Sequence, residues 1–461
     1  MLKNYFTITI RNIKRNLSYT TINVFGLALG ITCSLVLFLM ITFYTSFDNY
    51  HDNKDRIFRV VTSSENNGRE DYFAGVPVPL PTAVASEFTG IKHILFISGD
   101  NNVLFTIVEN GTPKIFEQEN GIAFTDSTYF TFFNRSFLMG DYKTALQQPN
   151  QIILSAKTAK KFFGDANPMG QLIKLNNETE LKVTGVMEDY PANTTFPFDM
   201  LISYLTIQKE KEEGGWGSVY SDDQCFVMLE AGTSPEAINN QFPAFVKKYE
   251  TEREDRSLKR WLQPLSELNY DTRFGNYRYA TVSKTSIFAM GIVALFLLIT
   301  ACINFINLST AVAVKRSKEV GIRKVLGSQR FQLIGQYLSE TGLITLVSLL
   351  ISVGLSELAL IQLNAFMDIN LHVDFTDVQF ILFLVVVWVV VSLASGFYPA
   401  LLLSGFSPAL ALKNKITNRS TGGFALRRSL VVFQFVISQL LIVGTVILLS
   451  QMNFLENKDL G

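Results

Sequence analysis

The sequence predicts a helical membrane protein, a transmembrane bundle of five α-helices with a large α+β extracytoplasmic domain between helices 1 and 2. Three observations carry that prediction. Of 461 residues, 48% are hydrophobic and only 17% charged, against about a quarter charged in an ordinary soluble chain. Charge is absent from four long stretches and interrupts a fifth, 331–366, only at Glu340 and Glu357. Of the 40 basic residues, which match 40 acidic ones overall, 15 gather in three short segments beside particular stretches. The composition excludes a disordered chain. Three scattered cysteines make no disulfide framework, and three histidines leave little room for a histidine metal centre.

Taken in order, residues 1–20 place Leu2, Phe6, Ile10, Ile13 and Leu17 on one helical face and Lys3, Thr7, Arg11 and Lys14 on the other. This reads as an amphipathic helix in the cytoplasmic headgroup layer, its cations on membrane lipid, or as an extension of the first span. Transmembrane helix 1 covers 21–45, because no acidic or basic residue lies between Arg15 and Asp48. It lacks a small-residue cleavage site and is kept as a span. Similar gaps predict helix 2 over 286–314, helix 3 over 331–366, helix 4 over 378–405 and helix 5 over 429–453. Each supplies the ~20 apolar residues that cross about 30 Å of hydrocarbon. One such gap would fit a buried core helix; five do not.

Residues 46–285 hold 32 acidic and 24 basic residues, the composition of a domain with its own core. QIILS, QLIKLN and ELKVTGVM read as strands. Ser155 caps a helix that stops at Gly164, and Ser234-Pro235 opens another. Cys225 is the domain's only cysteine, so it has no internal disulfide. Asp222-Asp223 and the set Asp48, Asp52 and Asp55 lack the spacing of a calcium loop. They read as solvated surface or ion-pair partners.

Orientation follows from the flanking cations. Residues 1–20, the segment 315–330 and the loop 406–428 together carry 15 basic residues and one acidic residue, whereas the loop between helices 3 and 4 carries Asp368, Asp374 and Asp377. The alternation predicts a cytoplasmic N-terminus, an external domain, and two basic cytoplasmic loops. The final span repeats the opening layout, Arg427-Arg428 before it and FLENKDLG after it. That predicts the start of a second, absent unit.

The segment 315–330 holds Lys315, Arg316, Lys318, Arg323, Lys324 and Arg330 against Glu319 alone. It reads as a short basic cytoplasmic helix broken at Gly327, with Glu319 and Arg323 paired at i,i+4 and a narrow apolar edge of Val314, Val320 and Val325. Such a helix suits a docked partner at the membrane face. It equally suits cations that only set topology.

The stretch CINFINLSTAVAVKRSKEVGIRKVLGSQRFQLIGQYLSE, from Cys302 to Glu340, resembles the core of the FtsX/MacB-type permeases, the membrane subunits of a class of ABC transporters. GFYPALLLSGFSPALALK is similar to that family's fourth span. FDNYHDNKDRIFRVV, ILSAKTAKKFFGDANPMGQLIKL and VTGVMEDYPANTTFPFDML resemble its periplasmic domain. The resemblance runs in order along nearly the whole chain and fits the double-unit subfamily, from which this chain departs by ending at its fifth span. It implies an ATPase on a separate cytoplasmic subunit that holds ATP and magnesium. Lys315, Arg316, Lys318, Glu319, Val320, Gly321, Arg323, Lys324 and Gly327 would lie at the contact that receives its motion. It further implies work on a peptide, lipoprotein, toxin or antibiotic outside the bacterial inner membrane. A periplasmic adaptor, an outer-membrane channel, and a second permease half or homodimer would be partners; no nucleic acid is expected. A regulatory protein of the same family, controlling a cell-wall hydrolase, shares these features.

The chain contains no GxxxxGK[ST] string, no HExxH and no GxSxG, so no enzyme of its own is expected. Within the spans, Gly26 and Gly30 form a GxxxG pair suited to close helix packing, and Asn304 and Asn307 share a face from which to bond neighbouring spans. Glu340 and Glu357 lie 17 residues apart, about 25 Å along a helix. Near opposite interfaces, they suit structural roles better than a proton relay.

Overall fold

The computed structural model describes residues 11, 17–66, 68–109, 112–250, 256–367, 369–405 and 423–458. The expected amphipathic segment therefore lies outside the described residues except for Arg11 and 17–20, and the loop 406–428 does so except for 423–428. The chain forms two compact units, one of residues 1–42 with 288–461 and one of residues 43–287.

Helix α1 covers Leu17–Thr45. The second unit runs through β1 (Ile57–Asn66), β2 (Arg69–Phe73), α2 (Leu80–Glu87), β3 (Ile91–Asp100), β4 (Val103–Glu109), β5 (Thr112–Gln118), β6 (Ile122–Thr125), α3 (Tyr129–Phe132) and β7 (Phe137–Gly140). It continues with β8 (Gln151–Ser155), α4 (Ala156–Phe163), β9 (Leu172–Leu175), β10 (Thr179–Met187), β11 (Met200–Ser203), α5 (Gln208–Glu212), β12 (Asp223–Leu229), α6 (Pro235–Asn239), α7 (Phe242–Tyr249) and β13 (Arg256–Pro264). Then follow α8 (Lys284–Val325), α9 (Arg330–Met367), α10 (Val378–Gly405) and α11 (Gly423–Glu456).

Among the described residues five helices are long and apolar enough to span a membrane, within Leu17–Thr45, Lys284–Val312, Arg330–Met367, Val378–Gly405 and Arg427–Leu455. They are the five expected ones. The segment 315–330, expected as a separate short helix, is instead the last turns of α8 followed by a turn into α9. Nothing in its residues interrupts helical hydrogen bonding before Gly327, whose φ of +96° favours glycine.

With no hydrophobic drive between helices in lipid, this unit packs through small residues and short hydrogen bonds. Ser348, Ser352 and Ser356 recur every fourth residue along α9 and are fully buried. Ser352 Oγ donates to the Ala28 carbonyl of α1 at 2.9 Å, and Trp388 Nε1 of α10 donates to the Gly342 carbonyl at 2.9 Å. Glu357 accepts the Val373 N–H at 2.9 Å and Asn364 clasps Leu371 through both backbone groups. These bonds hold the α9–α10 connection. Helix α11 is nearly bare, with Ile437 its buried apolar anchor.

The two glycines of GxxxG separate here. A Cβ on Gly30 would sit 2.6 Å from Ala301 Cβ on α8, while one on Gly26 would meet nothing. Gly30→Leu is expected to destabilise the bundle by about 1–3 kcal/mol and Gly26→Ala by less than about 0.5 kcal/mol. The thermal midpoints of the detergent-purified variants read the difference.

The second unit is built on a 13-stranded mixed sheet of path β13-β1-β12-β3-β6-β11-β8-β10-β9-β4-β5, with β2 on β1 and β7 on β10. The expected strands are β8, β9 and β10, and the expected caps form: Ser155 accepts the Thr158 N–H and Ser234 accepts the Ala237 N–H. Asp223 is buried and paired with Lys211 at 2.9 Å.

Asp48 corrects the reading of a solvated acidic surface. It is 3% exposed, has φ +56°, and accepts bonds from Thr194 and Thr195. Burial raises its carboxyl from 3.8 to about 6 despite those donors. Burial lowers its neighbour His51 from 6.5 to about 4; the Asn134 N–H donates to His51 Nδ1 at 3.1 Å, which leaves the proton on Nε2. Between about pH 4 and pH 6 folded Asp48 holds a proton that the unfolded chain releases, so its contribution to stability falls as pH rises. His51 acts in the opposite sense, because the unfolded chain binds the extra proton. Wild-type stability is expected to be nearly flat across this window. His51→Gln should unmask a decline with rising pH, and Asp48→Asn, which tolerates positive φ, a rise. Unfolding midpoints at about pH 4.5 and about pH 6 check both signs.

Candidate functional site: the charged end of helix α8

The last turns of α8 are fastened to α9 by two polar clasps. Arg316 Nη1 donates to Glu340 Oε1 at 2.8 Å, with the two side chains 12% and 7% exposed. The same guanidinium lies over the Tyr19 ring at 5.5 Å, and Tyr19 Oη meets Ser309 Oγ at 2.7 Å. Two turns further on, Arg323 donates from Nη2 to Glu319 at 2.6 Å and from Nη1 to Gln336 at 2.7 Å. Between the clasps Val320 is fully buried against Leu333, Tyr337, Ala400 and Leu403, and Gly321 is buried beside it.

Sequence separation is closed by the turn. Ser328 N–H bonds the Arg323 carbonyl at 3.0 Å and Gly327 N–H the Lys324 carbonyl at 3.1 Å. Gln332 Oε1 then accepts the Gln329 N–H at 3.1 Å and starts α9. The result is a stiff helical hairpin.

The expected residues divide accordingly. Arg316, Glu319 and Arg323 spend their charge inside the hairpin, and Val320 and Gly321 are packed. Lys324 is half-buried, Gly327 is exposed, and the side chains of Lys315 and Lys318 lie outside the described ones. The expected apolar edge does not hold together: Val320 is buried and Val325 64% exposed, and the side chain of Val314 is outside the described ones. What faces outward at the tip is apolar. Ile322, Val325, Leu326 and Phe331 are 51%, 64%, 80% and 81% exposed, beside exposed Arg330. Sequence reasoning passed over Leu326 and Phe331 because they border an apolar span. Their position on either side of the Gly327 turn was the available signal.

Among the described residues no side-chain hydrogen bond joins Asn304 or Asn307 to a neighbouring span. Asn304 is exposed, and Asn307 Oδ1 is buried without a partner among the described residues. With Gly26 and Arg427 they line a groove of about 370 Å³.

The chain matches the MacB-like periplasmic core domain over residues 20–245 and the FtsX-like permease C-terminal domain over residues 291–408. It is 22% identical over 293 residues to the macrolide export ATP-binding/permease protein MacB of Acinetobacter baylyi, covering 61% of this chain and 38% of that one. It is 23% identical over 292 residues to the ABC transporter permease YknZ of Bacillus subtilis, covering 60% and 67%. The periplasmic region of MacB from Actinobacillus actinomycetemcomitans aligns with 43% of this chain and 87% of its own, at 14% identity and a TM-score of 0.31.

Proposed function

The chain belongs to the FtsX/MacB-type permeases of ABC transporters, and from that premise we propose that it passes motion from a separate cytoplasmic ATPase to its extracytoplasmic domain. The observation that carries the reading is α8 itself. It is one uninterrupted helix of 42 residues, about 63 Å long at 1.5 Å per residue, and it ends in an exposed apolar tip. Large exposed apolar side chains rimmed by polar ones mark a partner surface. Here Leu326 and Phe331 are the anchors, with Lys324 and Arg330 at the rim. The clasps Arg316–Glu340 and Arg323–Gln336, the latter steadied by Glu319, make the hairpin rigid enough to transmit a push.

In this reading the N-terminus and both basic loops are cytoplasmic, the domain is periplasmic, and the work falls on a peptide, lipoprotein or antimicrobial. ATP and magnesium stay on the ATPase. Gly26, Asn304 and Asn307 line a groove suited to a further membrane helix, from a second permease half or a second copy, and an adaptor would meet the periplasmic domain. Purification of the full-length protein from its native membrane after mild cross-linking tests the reading. A co-purified chain bearing a P-loop is expected; repeated recovery with no nucleotide-binding chain would overturn it.

A further inference from the structure

One rung of the sheet in the second unit sets Arg260 of β13, Thr62 of β1 and Phe73 of β2 side by side, on one face as directly paired residues are. That face floors a cavity of about 550 Å³, walled by the end of α7 and by the loop that carries Trp216, within the size range of small-molecule sites. Arg260 is 7% exposed and Glu250 equally so. Arg260 Nε donates to Glu250 Oε1 at 2.7 Å and Nη1 to Thr62 Oγ1 at 2.6 Å. Among the described residues no hydrogen bond engages Arg260 Nη2 or the second Glu250 oxygen, although both residues line the cavity. Buried ionic groups ordinarily have their remaining bonding capacity filled, so this pair keeps one donor edge and one acceptor in reserve.

The opposite wall is aromatic: Trp216 stacks on Tyr249 with ring centroids 4.9 Å apart. The Trp216 loop is held close by Gly75, where a Cβ would fall 1.9 Å from the Tyr220 carbonyl oxygen. Among the described residues the cavity thus offers one cation, one anion and a flat apolar wall. A strongly anionic or cationic ligand would meet a like charge, and a purely apolar one would strand both ions.

We propose that this cavity binds a small zwitterion with an apolar or aromatic body, an α-amino acid or short peptide. Its carboxylate takes Arg260 Nη2, its ammonium takes the second Glu250 oxygen, and its side chain lies against Trp216. The site lies wholly within the second unit and does not rest on coupling to an ATPase.

The test uses the full-length protein in lipid nanodiscs without nucleotide, titrated with the dipeptide leucyl-phenylalanine by calorimetry. Free phenylalanine in a parallel arm separates an amino acid from a peptide. Saturable binding is expected, weakened at least about fivefold by Trp216→Ala and by Arg260→Lys, which keeps the ion pair but loses the forked donor. Blocking both ends, as N-acetyl-leucyl-phenylalanine amide, should weaken it at least about tenfold. Absence of saturation by either zwitterion up to about 10 mM, equal binding of the blocked dipeptide, or unchanged binding by Trp216→Ala would overturn the proposal. Trp216 is only partly buried, so that variant keeps the fold if Arg260→Lys does not.

Discussion

Arg316→Ala is expected to destabilise the helical bundle by about 3–5 kcal/mol, because it removes one partner of a nearly buried ion pair. Arg316 and Glu340 are nearly buried and 2.8 Å apart, and Tyr19, Ser309 and Tyr337 close around them. The expected result is poor recovery of folded protein and a large drop in thermal midpoint. Replacing both partners, Arg316→Met with Glu340→Leu, removes the buried pair as a whole and should return stability to within about 1–2 kcal/mol of wild type. If the single and double variants melt alike, the clasp contributes nothing and the hairpin owes its rigidity to Val320 packing alone. Reversing charge at Arg316 or Arg323 therefore reports on folding rather than on partner docking.

Docking is read at the tip. Leu326→Asp combined with Phe331→Asp is expected to weaken association with the ATPase at least about a hundredfold, as loss of a buried apolar anchor does at an interface. Both side chains are 80% or more exposed, so the thermal midpoint should stay within the small shifts of surface substitutions. Equilibrium binding of the purified ATPase to nanodisc-embedded wild type and variant gives the ratio. Unchanged affinity with an intact fold would remove the tip from the interface.

The architecture was legible because membrane burial writes itself into composition. Thirty-odd residues without charge admit few readings, and the five gaps became the five long helices. The cap residues Ser155, Gly164 and Ser234 were equally readable, since each acts within four residues of chain. Long-range pairing was not. Arg316 lies 24 residues from Glu340, so its charge looked free until the α8–α9 hairpin closed. Gly26 and Gly30 looked equivalent because the motif is symmetric, and only the approach of Ala301 tells them apart. Asp48 has the sequence context of a surface acid, and its burial depends on Thr194 and Thr195, nearly 150 residues away. The Arg260–Glu250 cavity needs three strands, a helix end and a loop to meet. No local pattern announces it.

A photo-reactive residue placed at Leu326 in the full-length protein, activated in living cells, tests the central assignment most directly. The account predicts a cross-link to a cytoplasmic nucleotide-binding chain. It also predicts protection of a cysteine at the same site from membrane-impermeant thiol reagents in intact cells. Labelling of that cysteine from outside the cell, or cross-links to extracytoplasmic proteins alone, would contradict it.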